Sequence, residues 1–276
     1  MPLYRQVHML MQDVADSAIL PRFRRLSGDD VAEKSPGEVV TCADIEAERL
    51  LADGLATLCP GARIVGEEAV AADPGLLSGV GEGLVWLVDP LDGTANFAAG
   101  RAPFGMMIAL IENGVPQMGW ILDGVTGRMC FAEAGKGAFI DGERIRARPS
   151  GSRRPVAALG THFLEPHRRE RVHAHAFGRF ERVSVPRCAA ESYPRLVLGE
   201  NDIALFQRSL PWDHAAGALL VSEAGGRITH WDRSPYRVGG SGTGILAAAD
   251  PYHWEAGAEV LLSPEAGLVM VEELAR

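Results

Sequence analysis

The chain has 276 residues, of which 47% are hydrophobic and 23% are charged, and its formal net charge is −9 at pH 7. This length suits one large domain or two intimate ones, and the apolar content is ample for a sizeable core. The acidic balance provides no basic surface for nucleic acid or for an anionic membrane, so neither partner is predicted.

Cysteine usage and the chain start indicate a reducing compartment. The cysteines have no C-x-x-C spacing, which argues against a zinc site, a redox motif or a disulfide framework; they are Cys42, Cys59, Cys130 and Cys188. The first residues lack the charged region and apolar stretch of a signal peptide, and no apolar run approaches the length of a membrane span. A cytoplasmic protein is therefore expected.

Two helices are predicted in the first 58 residues. Residues 3–26 carry apolar side chains at helical spacing, and a polar loop is expected at 27–38. The second helix is predicted at 41–58, with Thr41 as its N-cap and Asp44 three residues further on.

Acidic residues follow two predicted strands. Glu67-Glu68 comes after the short strand Ile64-Val65, and Asp89-Pro90-Leu91-Asp92-Gly93-Thr94 comes directly after the apolar run 84–88. That run is rich in β-branched and aromatic residues, which predicts a strand buried on both faces. Two carboxylates at its exit cannot contribute to a core, because burying them unpaired would cost several kcal/mol each.

The turn after that strand favours a site for a metal ion and a phosphate. Carboxylates held together in this way suit a hard divalent cation, which takes oxygen ligands. Gly93 lets the backbone approach a ligand, and the N–H groups around it can point at an anion if a helix begins there. Metal ligands beside an anion cradle indicate chemistry on a phosphate group.

The middle of the chain is typical of an antiparallel meander. Its strand candidates are separated by glycine-containing turns and lie at 104–112, 117–123, 128–133 and 138–140. The polar stretch 146–155 is rich in breakers. It is the expected boundary between an N-terminal α+β half, 1–148, and a C-terminal α/β half, 149–276.

The second half alternates predicted strands with predicted helices. The strands are expected at 156–159, 182–185 and 203–206, and the helices at 166–177, 192–199 and 214–223. Asp213 precedes the last of these helices. Alone it would most simply be a capping residue worth about 1 kcal/mol. Together with the two acidic turns upstream, it forms a combination that is more specific than any one of these features alone.

These motifs together resemble those of the inositol monophosphatase family of metal-dependent, lithium-sensitive phosphatases, over nearly the whole chain. Gly66-Glu67-Glu68 and residues 86–97 match the first signature of the family, and residues 212–226 match the second. Residues 40–44 match its Thr-x-x-Asp element, and residues 135–139 match the turn of its meander. The resemblance implies an α/β (α+β) fold, a layered αβαβα sandwich of the inositol monophosphatase/fructose-1,6-bisphosphatase type.

The resemblance also implies a Mg²⁺-dependent phosphomonoesterase that acts as a homodimer with two to three Mg²⁺ per subunit. The metal ligands it implies are Glu67, Asp89, the carbonyl of Leu91, Asp92 and Asp213. A metal-activated water would attack the phosphate directly, without a covalent intermediate. Thr94, hydrogen-bonded to Asp44, would orient that water together with Glu67. The backbone N–H groups of Gly93 and Thr94 would hold the phosphate.

The part of the sequence that should contact the rest of the substrate departs from the family pattern. Members that act on inositol place a carboxylate seven residues before Asp213, where this chain has Phe206, or Gln207 after a shift of one residue. A Gly-Ser/Thr-Ala segment before the penultimate helix is replaced here by residues 187–193. The expected substrate is therefore another small phosphorylated metabolite, and the candidate substrate-binding residues are Lys34, Arg187, Glu191, Phe206 and His214.

Several alternatives stay open at the sequence level. Arg187, Glu191 and Tyr193 favour a substrate with a cationic or planar portion, with histidinol phosphate first and a nucleotide-type phosphate next. Inositol 1-phosphate is a further alternative, and so is a catalytically idle homodimer that binds or regulates, although the set of carboxylates is complete. The simpler interpretations of Lys34 and His214 are a surface lysine and a packing histidine.

Overall fold

The computed structural model describes residues 1–35 and 37–268. Within these ranges the helices are α1 (Leu3–Val14), α2 (Cys42–Leu58), α3 (Glu67–Ala72), α4 (Thr94–Ala98), α5 (Pro166–Ala176), α6 (Ala189–Val197), α7 (Pro211–Glu223) and α8 (Pro251–Leu261). The strands of the first half are β1 (Val31–Ser35), β2 (Glu38–Thr41), β3 (Arg63–Gly66), β4 (Leu84–Asp92), β5 (Gly105–Glu112), β6 (Val115–Asp123), β7 (Met129–Glu133), β8 (Gly137–Ile140) and β9 (Glu143–Ile145). Those of the second half are β10 (Val156–Gly160), β11 (Glu181–Val183), β12 (Ile203–Phe206), β13 (Arg227–His230) and β14 (Ile245–Ala248).

The larger sheet contains β3 to β9 side by side in chain order. Its strands β3 and β4 are parallel, and Gly66 pairs with Val88. The residues that follow these two, Glu67 and Asp89, therefore lie side by side near the same edge of the sheet. The remaining neighbours are antiparallel, which confirms the predicted meander.

The smaller sheet has the order β11-β10-β12-β14-β13. Strands β11, β10 and β12 are parallel, whereas β14 is antiparallel to both of its neighbours. The parallel strands direct their carboxyl ends, and the loops that follow them, toward one edge. Residues 146–155 connect β9 of the larger sheet to β10 of the smaller one. A division of the chain into two halves at this connection stays a prediction.

Five layers of helices and sheets pack around three apolar clusters. Helices α1 and α2 cover one face of the larger sheet, where Trp86 and Trp120 are buried. Helices α6 and α7 fill the space between the two sheets. Helices α5 and α8 cover the far face of the smaller sheet, where Trp254 is buried. This order of helix and sheet layers is the predicted αβαβα sandwich.

Strand β4 is the second strand of the larger sheet, and all of its residues between the two ends are buried. Its side chains alternate between the two faces of the sheet, so Trp86 and Val88 belong to the cluster under α1 and α2, and Val85 and Leu87 to the cluster under α6 and α7. Asp89 is two residues after Leu87 and therefore lies on the same face of the strand as Val85 and Leu87. Its side chain is therefore directed toward the layer that contains α7.

A close approach of α6 to α7 fixes where α7 begins. A Cβ at Gly217 of α7 would overlap the ring of Tyr193 on α6. On the other side, a Cβ at Gly119 of β6 would lie 2.8 Å from the Cα of Ala216. Neither position has room for a Cβ, because α7 packs tightly between α6 and the larger sheet. This packing fixes the position of Asp213 in the first turn of α7.

The structure corrects several predicted boundaries. The α-helical part of the first predicted helix ends at Val14. A π-helical turn and a 3₁₀ turn follow it and extend to Arg22. The predicted loop at 27–38 contains β1, which pairs with β2. The sequence patterns also missed six further elements, namely β2, β9, β13, β14, α3 and α8.

Helix α7 begins at Pro211, and its N-cap Leu210 makes no side-chain cap hydrogen bond. Asp213 therefore lies inside the first turn, and its interpretation as the capping residue was wrong. None of the helices formed by the described residues is both long and apolar enough to cross a membrane.

Candidate active site

Three carboxylates from distant parts of the chain meet at one point. One oxygen each of Glu67, Asp89 and Asp213 lies within 4.8 Å of the other two. Glu67 is the first residue of α3, Asp89 lies near the end of β4, and Asp213 is the third residue of α7. The shared edge of β3 and β4 places the first two side by side. The packing of α7 between the sheets adds the third.

The electrostatics of this cluster favour a cation. Asp89 is 1% exposed. Burial raises the pKa of Asp89 well above its ordinary value, and the charges of Glu67, Asp92 and Asp213 raise it further. Burial likewise raises the pKa of Asp213, with Glu67 and Asp92 acting in the same direction. An arrangement of like charges in a buried place is costly unless a positive group compensates it.

Of the three carboxylates, Lys34 forms an ion pair with Glu67. The Lys34 ammonium lies 2.5 Å from Oε1 of Glu67 and 2.7 Å from Oε1 of Glu68. Burial alone would lower the pKa of Lys34, but the two glutamates raise it above its ordinary value. Among the residues that the structure describes, no ion pair reaches Asp89, Asp92 or Asp213. The all-oxygen donor set and the uncompensated charge both fit a hard divalent cation.

Asp92 is held by the start of α6. Its Oδ2 accepts a hydrogen bond of 2.5 Å from the backbone N–H of Ala190. Burial raises the pKa of Asp92 to about 6, although this N–H opposes the rise. Asp92 is outside the group of three carboxylates. The Leu91 carbonyl, which the sequence also suggested as a ligand, accepts a hydrogen bond of 2.8 Å from the Thr94 hydroxyl.

Thr94 and Asp44 are in contact, although 50 residues separate them. The Thr94 Oγ1 lies 3.0 Å from Oδ1 of Asp44. The other oxygen of Asp44 accepts hydrogen bonds from the backbone N–H and the hydroxyl of Thr41, at 2.8 and 2.6 Å. The same carboxylate thus completes the predicted capping box of α2 and anchors Thr94. Burial raises the pKa of Asp44 to about 6, against these hydrogen bonds.

Gly93 forms the turn that presents the next backbone N–H groups. It is the N-cap of α4, with a φ of 82°, in the left-handed region that favours glycine. A Cβ at this position would also lie 2.9 Å from the carbonyl oxygen of Pro103. Gly93, Thr94 and Ala95 line the same cavity as the carboxylates. This cavity has a volume of about 400 Å³, which suits a small metabolite.

Four of the five candidate substrate-binding residues line the cavity, and one does not. Lys34, Arg187, Phe206 and His214 line the cavity, whereas Glu191 is not among the lining residues. The Glu191 carboxylate accepts hydrogen bonds from Arg128 at 2.8 Å and Arg195 at 2.7 Å, so it links α6 to the start of β7. A direct contact between Glu191 and the substrate is therefore not supported.

His214 lines the cavity with its ring only. Its Nδ1 lies 2.8 Å from the Tyr193 hydroxyl, and its Nε2 lies 2.9 Å from the Arg208 carbonyl. Burial lowers the pKa of His214 to about 4, so the neutral ring donates from Nε2 to that carbonyl and accepts from Tyr193 at Nδ1. Both nitrogens are occupied. His214 therefore holds the Arg208 loop and has no polar atom left for a substrate.

Sequence reasoning missed Glu48, which fixes the start of α3. The Glu48 carboxylate accepts hydrogen bonds of 2.8 Å from the backbone N–H groups of both Glu68 and Ala69. A Cβ at Gly66 would overlap this carboxylate, so the glycine is required. Because Glu67 begins the same helix, Glu48 determines where Glu67 is directed. Its position four residues after Asp44, on the same face of α2, was the available signal.

Three more residues of the outer cavity wall were also missed. His162 and Phe163 follow β10, and Arg208 follows β12. The Arg208 guanidinium lies over the Phe163 ring, 4.7 Å from its centroid. No motif marks these residues. The only sequence signal was their place after the carboxyl ends of parallel strands, where ligand sites commonly lie.

Comparison with known proteins identifies the chain as a phosphoric monoester hydrolase and gives its family. Residues 4–263 match the sequence profile of the "Inositol monophosphatase family". The chain belongs to the inositol monophosphatase family.

Individual relatives agree with this assignment. The chain is 34% identical to the inositol-1-monophosphatase of Caulobacter vibrioides over 235 residues, which cover 81% of this chain and 87% of that protein. It is 33% identical to a fructose-1,6-bisphosphatase/inositol-1-monophosphatase of Thermotoga maritima over 209 residues, 72% of this chain and 75% of that one. A solved structure of an IMPase from Thermotoga maritima is similar, with a TM-score of 0.77, 27% identity and 97% of each chain covered.

Proposed function

We propose that this protein is a Mg²⁺-dependent phosphomonoesterase that hydrolyses a small phosphorylated metabolite by direct attack of water. The observation that carries this proposal is the meeting of Glu67, Asp89 and Asp213 within 4.8 Å, at one wall of a cavity that Gly93 and Thr94 also line. The proposal is supported by carboxylate oxygens that suit a metal ion and by backbone N–H groups that suit an anion, both at the same cavity.

The residues that would hold two to three Mg²⁺ are Glu67, Asp89, the Leu91 carbonyl, Asp92 and Asp213. Mg²⁺ in this site supplies positive charge that stabilises the charge developing on the phosphoryl oxygens and makes water a better nucleophile. Thr94, anchored on Asp44, orients the attacking water together with Glu67. The N–H groups of Gly93 and Thr94 bind the phosphate, and the buried Asp92 is kept in place by Ala190.

The test is phosphate release from p-nitrophenyl phosphate by the purified protein. We expect hydrolysis with millimolar Mg²⁺, loss of activity in excess EDTA, and recovery when Mg²⁺ is restored. Inhibition by Li⁺ is expected from family membership. Full activity in EDTA would contradict the role of the metal. Insensitivity to Li⁺ would count only against the property carried over from the family.

The cavity wall favours a substrate other than inositol phosphate. Phe206 lines the cavity and stacks on Tyr193, with ring centroids 5.1 Å apart. An apolar ring offers no partner for the hydroxyl groups of a polyol, and a site rejects ligands whose polar groups it leaves unpaired. The preference for a cationic substrate such as histidinol phosphate loses its basis, since Glu191 is paired elsewhere and Tyr193 is fully buried.

Inositol 1-phosphate is therefore expected to be a poor substrate. We expect its kcat/KM to lie below that of at least one other compound in a series of inositol 1-phosphate, histidinol phosphate, fructose 1,6-bisphosphate and adenosine 2′- and 3′-phosphates. A result in which inositol 1-phosphate is best by tenfold or more, about 1.4 kcal/mol in transition-state binding, would refute this interpretation of Phe206.

We also propose a homodimer, on the family resemblance alone. Static light scattering of the purified protein measures its mass in solution, and a mass equal to that of one chain would contradict this assembly.

A further inference from the structure

Two arginines and a histidine lie at the outer wall of the cavity. His162, Arg187 and Arg208 all line it. Burial lowers the pKa of His162, and the charges of both arginines lower it further, so the His162 ring is neutral near pH 7. Basic groups repel each other, so such an arrangement is favourable only when an anion or a carboxylate lies among them.

Carboxylates already compensate two of the cations that line the cavity. Arg208 forms an ion pair with Glu38. Lys34 forms ion pairs with Glu67 and Glu68. Arg187, in contrast, makes no hydrogen bond or ion pair with any residue that the structure describes. Its guanidinium is therefore the cationic group of the wall that has its charge and donors available for a ligand.

The backbone at Arg187 is unusual for an arginine. Its φ is 55°, in the left-handed region, which is strained for a residue with a Cβ. The chain on both sides is fixed to the catalytic half of the site. The carbonyl of Pro186 accepts a hydrogen bond of 3.2 Å from Asn96, and Cys188 is the N-cap of α6, whose Ala190 holds Asp92. Arg187 thus has a defined position relative to the proposed metal ligands.

We propose that the leaving group of the substrate carries a second anionic group, a phosphate or a carboxylate, and that Arg187 binds it. The guanidinium presents a planar set of donors that matches either group in a bidentate way, and it keeps its charge at all relevant pH values. The Arg208 guanidinium also lines the cavity and favours the same ligand, although its ion pair with Glu38 weakens this contribution. This inference rests on the proposed phosphatase function, since it concerns the substrate of that site.

The same arrangement disfavours a cationic leaving group. An ammonium placed beside Arg187 and Arg208 would meet like charge, and Glu38, the carboxylate that contacts Arg208, is already engaged in that ion pair. Histidinol phosphate is accordingly expected to rank below the substrates that carry two anionic groups.

The experiment compares substrates that differ only in the second anion. One pair is fructose 1,6-bisphosphate and fructose 1-phosphate, and the other is 3-phosphoglycerate and glycerol 1-phosphate. With Mg²⁺ present, we expect the wild-type kcat/KM to be at least tenfold higher for the doubly anionic member of one or both pairs. The first pair reports on a second phosphate and the second pair on a carboxylate. The preference should shrink as KCl is raised, because salt screens exposed charges.

Variants of Arg187 test whether this residue causes the preference for doubly anionic substrates. In Arg187→Ala the ratio of the two kcat/KM values should fall to about one, and Arg187→Lys, which keeps the charge without the planar fork, should retain part of it. Arg179→Ala removes an exposed arginine outside the cavity and should keep the wild-type ratio. A preference that persists in Arg187→Ala would overturn the role of Arg187. If that variant does not fold, a ratio in Arg187→Lys equal to the wild-type ratio overturns it instead.

The outcomes separate this inference from the proposed function. Hydrolysis of all four compounds at similar kcat/KM by the wild-type protein would overturn the inference and leave the phosphatase function intact. No Mg²⁺-supported hydrolysis of these compounds or of p-nitrophenyl phosphate would overturn the proposed function itself.

Discussion

Replacing Asp89 by asparagine is expected to remove phosphatase activity while leaving the metal-free protein at least as stable as the wild type. Asp89 is buried, and the negative charges of Glu67, Asp92 and Asp213 act against its ionised form. Asparagine has nearly the same shape and no charge, so it removes repulsion from the metal-free fold. It also removes the carboxylate that lies between the other proposed ligands. The loss of kcat/KM should exceed the roughly 10²–10³-fold effect of removing one oriented donor.

Two measurements check this prediction for Asp89→Asn. The first is kcat/KM at saturating Mg²⁺. The second is the melting temperature, in EDTA and with Mg²⁺ added, because a ligand that binds only the folded state raises it. Mg²⁺ should raise the melting temperature of the wild type and have little effect on the variant. Asp53→Asn is a matched control, since Asp53 is exposed on α2, where it forms an ion pair with Arg49. An equal rise in wild type and Asp89→Asn would show that Asp89 does not hold the metal.

The part of the site that could be predicted is the part encoded by local patterns. Strand β4 is a continuous apolar run because both of its faces are buried, and that property is visible without any knowledge of its neighbours. The turn at Gly93 is likewise local, since a left-handed residue before a helix needs glycine there. The capping box of Thr41 and Asp44 depends only on spacing within one helix.

The substrate side could not be predicted in the same way. Glu191 and Tyr193 lie in the segment that the family comparison indicated, but the direction of each side chain depends on how α6 packs. Tyr193 is directed into the core between the sheets, and Glu191 is directed toward Arg128. A sequence pattern places such residues near the site without showing which of them face the cavity.

Loops supply the remaining wall of the cavity. His162 and Phe163 come from the loop after β10, and Arg208 comes from the loop after β12. These strands are neighbours in the smaller sheet although about 45 residues separate them in the chain. Their proximity follows from parallel pairing, which no single segment of the sequence reveals. The hairpin that contains Lys34 was missed for a related reason, since its strand β1 is short and largely polar.

Thr94→Ala is expected to lower kcat by roughly 10²–10³-fold, the usual effect of losing one oriented hydrogen bond in a catalytic site. The hydroxyl of Thr94 has one proton and lies within reach of two acceptors, Oδ1 of Asp44 and the carbonyl of Leu91. When it donates to Asp44, its own lone pairs are free to accept from a water molecule in the cavity. Alanine removes this orientation and keeps the proposed carboxylate ligands, so the Mg²⁺ concentration for half-maximal activity should change little.

The hydroxyl, rather than the size of the side chain, should account for this effect. Thr94→Ser keeps the hydroxyl and should retain most of the wild-type kcat. Thr94→Ala leaves the buried Oδ1 of Asp44 without its partner, so it should also lower the free energy of unfolding by about 1–3 kcal/mol. Urea denaturation measures that loss, and Mg²⁺ titration of activity separates metal binding from turnover. If Thr94→Ala turned over at the wild-type kcat, or if Thr94→Ser were as slow as Thr94→Ala, the hydroxyl would not orient the attacking water.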